Sequence, residues 1–114
     1  MYRRRTYKEM IVVNNRKELK KLINQRIKTL GPNCDLNDID VSKIDDMSNM
    51  FFYSPFNGDI SKWNMSRVKN MNAMFQFSNF NGDISNWNVS KVKTMTSMFH
   101  ESPLHGNEPN WYKA

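Results

Sequence analysis

Two stretches of this 114-residue chain are closely similar and lie 24 residues apart. They cover 56–79 and 80–103, and 15 of the 24 positions carry the same residue. The same phase extends back to 35 and decays after 106, so about three repeats are present. A period of this length is typical of solenoids, in which each repeat buries its apolar side against its neighbours. The period therefore predicts an α/β repeat solenoid with leucine-rich-repeat-like coils of about 24 residues.

Each repeat carries its own local signals. Asn-Gly-Asp at 57–59 and 81–83 is typical of a turn. The apolar pair that follows, Ile60 and Trp63, predicts a short extended strand. Later, 70–75 places apolar residues at i, i+3 and i+4 behind a capping residue, which predicts one or two helical turns. We therefore expect one short strand and one short helix in each coil.

The composition alone leaves two interpretations open, a loosely ordered polar chain or an ordered fold rich in turns. Leu, Ile, Val and Phe contribute only 25 of the 114 residues, whereas there are nine Met and 16 Asn. Because the apolar residues recur in phase, we interpret them as a continuous core in which Met fills gaps between rings. The expected core pairs are Ile60/Ile84, Trp63/Trp87, Val68/Val92, Met71/Met95, Met74/Met98 and Phe75/Phe99.

Solenoids need covers over their terminal coils. Residues 10–34 are predicted to form an N-terminal cap from a strand at 10–13 and an amphipathic helix. Asn15 followed by Glu18 resembles a capping box, and Gly31 stands where a helix ends. Residues 1–9 are interpreted as a basic, flexible arm, 35–106 as three solenoid repeats and 107–114 as a C-terminal cap or tail. An uncovered last coil predicts an end-to-end homodimer instead.

The repeat carries a resemblance to a known family. The run from Phe80 to Phe99, Asn-Gly-Asp-Ile-Ser-Asn-Trp-Asn and onward to Met-Phe, resembles the BspA-like repeat of bacterial leucine-rich-repeat-type surface proteins and lipoproteins. The stretch 34–42 is similar to the opening turn of short intracellular members. The resemblance implies a non-catalytic recognition solenoid of the kind often linked to adhesion. Because a secretion signal and a lipid anchor are not seen, we expect a cytoplasmic protein.

Charge is divided unevenly along the chain. Residues 1–30 carry a formal charge of +8 and residues 31–114 carry −2, which together give +6. Such a basic segment indicates an anionic partner, although a solvated helix face would look the same. Lys43, Arg67 and Lys91 also fall one repeat apart, which copying of the repeat would explain equally well. The candidate partner-binding residues are Arg3, Arg4, Arg5, Arg16, Lys17, Lys20, Lys21, Lys62, Arg67, Lys69, Lys91 and Lys93.

Catalytic, cofactor and metal motifs are not recognised in the sequence. His100 and His105 with the neighbouring glutamates match no standard metal spacing. Cys34 has no adjacent His that would activate it, and Asn57-Gly58-Asp59 lacks the further ligands of a calcium loop. No apolar run reaches the ~18–20 residues of a membrane helix. We therefore expect neither an enzyme nor a membrane protein.

The leading hypothesis is a non-catalytic protein-binding solenoid module that occupies an acidic surface of another protein. Its size and charge suggest an inhibitor of a bacterial defence protein, encoded by a phage or mobile element. It would then act in the bacterial cytoplasm, or in that of the host if phage-encoded. The first alternative is a nucleic-acid-binding protein that uses the basic arm and helix. The second alternative is a fragment of an adhesin-type surface protein.

Overall fold

The computed structural model describes residues 9–113. The regular elements come early in the chain: strand β1 (Ile11–Val12), helix α1 (Arg16–Leu30) and strand β2 (Ile39–Asp40). The two strands are parallel and pair in the register Ile11 with Ile39. From 41 onward the described chain consists of turns and isolated bridges. No helix within residues 9–113 has the length and apolar character needed to cross a membrane.

Helix α1 begins and ends where its flanking residues can satisfy the terminal backbone groups. The side-chain oxygen of Asn15 accepts the N–H of Glu18 at 2.9 Å, which caps the first turn. Gly31 follows the last turn with φ of 91°, and its N–H donates to the carbonyl of Ile27 at 2.9 Å. The face that holds Leu19 and Ile23 is fully buried. The helix predicted between the capping box and Gly31 is therefore confirmed.

The helical turns expected inside the repeats are not formed. Ala73 and Phe77 both have φ of 56°, in the left-handed region that breaks an α-helix. The N–H groups of Met71, Ala73, Phe75 and Phe77 donate instead to carbonyls 23 residues later, at 2.8–2.9 Å. In an α-helix these N–H groups would donate to carbonyls four residues earlier. The i, i+3, i+4 spacing of apolar residues here belongs to a series of turns.

The strands expected in each repeat are also missing. The N–H of Trp63 returns to the carbonyl of Ile60 at 3.2 Å, and that of Trp87 returns to Ile84 at 3.2 Å. These are local turns and not extended pairs. The predicted α/β solenoid of leucine-rich-repeat-like coils, each with a short strand and a short helix, is therefore wrong. The described chain has one helix and two short parallel strands, all within residues 11–40.

Three 24-residue segments nevertheless share one apolar core. We call 35–58 the first segment, 59–82 the second and 83–106 the third. The rings of Phe51, Phe75 and Phe99 stack across them, with centroids 5.4 and 5.8 Å apart and planes inclined by 5°. Each Trp also donates to a carbonyl of the segment before it, as in Trp87 Nε1 to Ile60 at 3.0 Å. Of the expected core pairs, only Val92 and Met95 are partly buried instead of buried.

The backbone groups at the two ends of this packing meet different partners. In the second segment the carbonyls of Asn72 and Met74 accept N–H groups from the first segment at 3.0 and 2.8 Å. Ser48 and Met50 are their counterparts in the first segment, and they accept from side chains of α1 instead. At the opposite end, within residues 9–113, four N–H groups have no hydrogen-bond partner. They belong to Met95, Ser97, Phe99 and Glu101.

Candidate functional site

A cluster of charged side chains lines a shallow groove of about 300 Å³. Its lining residues are Lys43, Asp45, Arg67, Lys69 and Lys91. Four of these five side chains are cationic, and all five residues are exposed. We call this feature the basic groove. It brings together three of the residues that the sequence proposed as a partner-binding set.

In the first and second segments a buried apolar residue positions the charged side chains on either side of it toward solvent. Ile44 and Val68 are buried, and each is flanked on both sides by groove residues. Their N–H groups close local turns onto the carbonyls of Val41 and Met65, at 2.9 and 3.0 Å. The apolar side chain anchors the turn in the core, so the residues before and after it point to solvent. Val92, between Lys91 and Lys93, closes the same turn onto the carbonyl of Val89 at 3.0 Å but is only partly buried.

Backbone bonds hold the groove walls side by side. The N–H of Lys69 donates to the carbonyl of Asp45 at 2.8 Å, and that of Lys93 donates to Lys69 at 2.8 Å. Stacked rings of successive segments lie 5.4–6.0 Å apart, so cationic positions one repeat apart become close neighbours. One anionic segment laid along the groove would contact cations from all three segments.

Within residues 9–113 the cations of the groove form no ion pair. The two ion pairs within residues 9–113 are Arg26 with Asp38 and His105 with Glu108, and neither lies in the groove. Lys43 Nζ donates to the side-chain oxygen of Asn14 at 3.2 Å. Arg67, Lys69 and Lys91 keep their charged ends free of any hydrogen bond to the described chain. The groove can therefore accept carboxylate or phosphate oxygens.

Two of the predicted partner-binding residues have a different place. Arg16 donates to the carbonyl of Ser48, and Lys20 donates to that of Met50 at 2.5 Å. Both side chains are partly buried, and burial together with nearby Arg16 lowers the pKa of Lys20. They supply the donors that a preceding segment would otherwise supply. We assign them to the packing of α1 and not to the recognition surface.

The remaining predicted residues are dispersed. Lys17 and Lys21 are exposed on the outer face of α1, and Lys93 is exposed beside the groove but does not line it. Lys62 lines a separate cavity of about 260 Å³ with Met10, Asp35, Asn37 and Asp38. Arg3, Arg4 and Arg5 lie outside the described residues. The sequence-based set omitted Lys43, although its 24-residue distance from Arg67 is visible in the sequence.

A second surface feature was not predicted. Phe52, Tyr53 and Phe77 form an exposed aromatic cluster, with Tyr53 and Phe77 stacked at 4.7 Å between centroids. Phe52 meets the same two rings edge-on, at 4.7 and 6.3 Å. Tyr53 leaves 65% of its surface exposed. The 24-residue spacing of Tyr53 and Phe77 was the available signal in the sequence.

Groups suited to metal or redox chemistry are few in the described chain. Within residues 9–113 no three His, Cys, Asp or Glu side chains come close enough to hold a metal ion. His105 pairs with Glu108 at 3.8 Å, whereas His100 meets the ring of Phe77 edge-on. Cys34 is partly buried, and that burial raises the pKa of its thiol, which keeps it protonated.

Comparison with known proteins places the chain in a family. A search of the curated proteins and a search of the solved structures each found no match. One family model, described as "Mycoplasma protein of unknown function, DUF285", matches residues 17–112. That range includes α1 except its first residue, all three segments and the basic groove. Because the match covers most of the chain, the protein belongs to the DUF285 family.

Proposed function

We propose that this protein is a non-catalytic binding module that holds an acidic segment of another protein in the basic groove. The observation that carries the proposal is the set of free cations there, Arg67, Lys69 and Lys91, beside Lys43. Exposed carboxylates of a partner would replace water around these charges and form ion pairs with them. Complementary charge of this kind raises association rates and selects against basic partners.

The exposed aromatic cluster supports a protein as the partner. Tyr and Phe are enriched at protein interfaces, where their rings are buried on binding. Phe52, Tyr53 and Phe77 expose 41%, 65% and 37% of their surface in the isolated chain. Cations and rings together would give a partner both charge complementarity and apolar anchors. A defence protein of a bacterial cell, inhibited by occupation of its acidic surface in the cytoplasm, is the specific form of this proposal.

The BspA-like character of the repeat belongs to the same proposal. The residues that carry the resemblance, 80–99, lie inside the range that the family model matches. A relation to BspA-like proteins would make recognition, and not chemistry, the function of the chain. The adhesin-type alternative requires a surface location, so localisation of the native protein by cell fractionation separates the two.

Binding of an acidic peptide tests the proposal directly. A fluorescent oligoglutamate peptide is titrated with the protein, and anisotropy is followed at low and at physiological salt. The variant R67Q/K69Q/K91Q is expected to bind at least about tenfold more weakly, a loss of about 1.4 kcal/mol. The matched control K17Q/K21Q/K28Q removes three exposed cations from α1 and should bind as the unchanged protein does. Equal losses in both variants would contradict a role for the groove.

A nucleic-acid-binding function is the second candidate, because α1 presents Lys17, Lys21 and Lys28 on its exposed side. Phosphate contacts release counterions, so binding of an oligonucleotide would weaken steeply as salt rises. The same titration with single-stranded and duplex DNA measures this. A tighter and salt-sensitive complex that is lost in K17Q/K21Q/K28Q would replace the proposal of a protein partner.

A further inference from the structure

The chain contains two Asn-Gly pairs, at 57–58 and 81–82. An Asn followed by Gly is chemically vulnerable because Gly has no Cβ to shield its backbone nitrogen. That nitrogen can attack the side-chain amide carbon of the preceding Asn if the backbone is free to bring the two together. Both asparagines are exposed, so exposure does not distinguish them. The hydrogen bonds around them do.

The first pair is held on both sides. The N–H of Asn57 donates to the carbonyl of Pro32 at 2.7 Å, and that of Asp59 donates to Cys34 at 3.3 Å. The Asn57 side-chain oxygen accepts the N–H of Asn81 at 2.8 Å, which fixes the amide. A Cβ placed on Gly58 would lie 1.8 Å from the Cys34 carbonyl oxygen, so the backbone there is in tight contact. This pair cannot rearrange without breaking these contacts.

The second pair is held much less. Within residues 9–113 the side chain of Asn81 has no hydrogen-bond partner, and neither does the N–H of Asp83. His105 lies 24 residues after Asn81, but its N–H donates to Ser102 at 3.0 Å. The nearest backbone atom to a Cβ on Gly82 is the oxygen of Gly58, at 3.4 Å. In the described part of the chain, the one hydrogen bond of this pair is from the N–H of Asn81 to the side chain of Asn57 at 2.8 Å.

We propose that Asn81 is a site of spontaneous deamidation in the folded protein and that Asn57 is protected. The deprotonated backbone nitrogen of Gly82 forms a bond to Cγ of Asn81. The bond from Cγ to Nδ2 breaks, and this nitrogen leaves as ammonia after taking up a proton. Water then opens the five-membered succinimide at either carbonyl, which yields aspartate or isoaspartate. One water is consumed, one ammonia is released and nothing is oxidised or reduced.

The product changes the charge at this turn. A carboxylate appears two residues before Asp83, whose own carboxylate already accepts from Ser85 and lies near Asp59. The formal charge of the chain falls by one, so the modified protein separates from the original on ion exchange. Isoaspartate also adds a methylene to the backbone beside Gly82.

The folded protein is aged in mildly alkaline buffer, and the peptides that contain each Asn are followed by mass spectrometry. Conversion at Asn81 is expected to be at least about tenfold faster than at Asn57, a difference of about 1.4 kcal/mol in activation free energy. In denaturant the two rates should become nearly equal, because the contacts that protect Asn57 are then lost. Equal rates in the folded protein, or faster conversion at Asn57, would overturn the proposal.

Two variants confirm the atoms involved. Asn81→Gln lengthens the side chain and disfavours ring closure, so the charge change on ion exchange should disappear. Gly82→Ala shields the attacking nitrogen and should slow conversion at Asn81, with circular dichroism showing whether the ring of Phe80, 2.6 Å from the new Cβ, is accommodated. A charge change that persists at its original rate in Asn81→Gln would show that deamidation occurs elsewhere.

Discussion

The first and third segments follow the same 24-residue pattern and are identical at 10 of its 24 positions, yet they end the core in different ways. Helix α1 covers the first segment, where Arg16 and Lys20 donate to two backbone carbonyls. The third segment is covered by residues 107–113, which we call the tail. There Trp111 stacks on Trp87 at 6.3 Å and Tyr112 meets Phe99 edge-on at 5.1 Å. The N–H groups of Ser97 and Glu101 have no partner within residues 9–113.

This difference predicts unequal local stability. Regions with fewer buried contacts and exposed backbone groups open first, at lower free energy than the whole domain. Val68 and Met71 are fully buried in the second segment, but Val92 and Met95 are only partly buried in the third. The third segment should therefore be the first part of the core to open.

The largest effect is expected at the centre of the ring stack. Phe75 is buried and has four aromatic neighbours, Phe51, Phe80, Trp87 and Phe99. Phe75→Ala should lower the free energy of unfolding by about 3–5 kcal/mol, because it removes buried area and leaves a cavity. Phe99 lies at the less covered end of the core, so the loss in free energy of unfolding for Phe99→Ala should be at the lower limit of that range. Urea unfolding of both variants measures the difference, and an equal or larger loss for Phe99→Ala would contradict the comparison.

The tail provides the next test. Trp111 donates to the carbonyl of Ile84 at 2.9 Å and lies against Phe99. Trp111→Ala should cost about 2–3 kcal/mol, less than a fully buried aromatic residue, because the ring is only partly buried. Hydrogen exchange should accelerate at 83–106 and change little at 35–58. Equal acceleration of hydrogen exchange at 83–106 and 35–58 would show that the first and third segments open together.

The contacts of α1 allow a matched pair of substitutions. Lys20→Met keeps the apolar stem but leaves the Met50 carbonyl without its donor, at a cost of about 1–2 kcal/mol. Lys21→Met, one residue along on the exposed side of α1, should change stability by less than about 0.5 kcal/mol. Thermal unfolding of both variants is the measurement. Equal effects would mean that the bond to Met50 is not what stabilises this end.

The smallest effect concerns acid. Ser42 hydrogen-bonds the carboxylate of Asp40 in the first segment and lowers its pKa, whereas Asn64 and Asn88 make the same turn without a charge. A carboxyl whose pKa is lowered by folding contributes stability above its ordinary value near 3.8, and that contribution is lost as pH falls below it. Asp40→Asn should therefore lose less stability on acidification than the unchanged protein. Urea midpoints at neutral and acidic pH decide this, and parallel losses would exclude the Asp40 turn as a cause.

Sequence reasoning was reliable where the causes are local. The Asn15–Glu18 spacing and Gly31 were enough to predict α1, because capping depends on residues three or four positions apart. Ten of the twelve residues in the expected core pairs are buried, but the core of the described chain also contains 14 apolar residues outside those pairs. The basic groove was only partly predictable: Arg67, Lys69 and Lys91 were singled out, but so were Arg16 and Lys20, which the fold places against carbonyls.

The 24-residue period and the burial of ten in-phase apolar residues follow from the amino-acid sequence alone. The backbone path between those residues was decided by tertiary contacts. Met71, Met74 and Phe75 have helical spacing. However, Ala73 and Phe77 in the same segment adopt the left-handed backbone conformation, which interrupts a helix. That conformation costs about 1–2 kcal/mol per residue, and it is offset only when alternate N–H groups meet carbonyls of the next segment. Because those partners lie 23 residues away, no local pattern could reveal them.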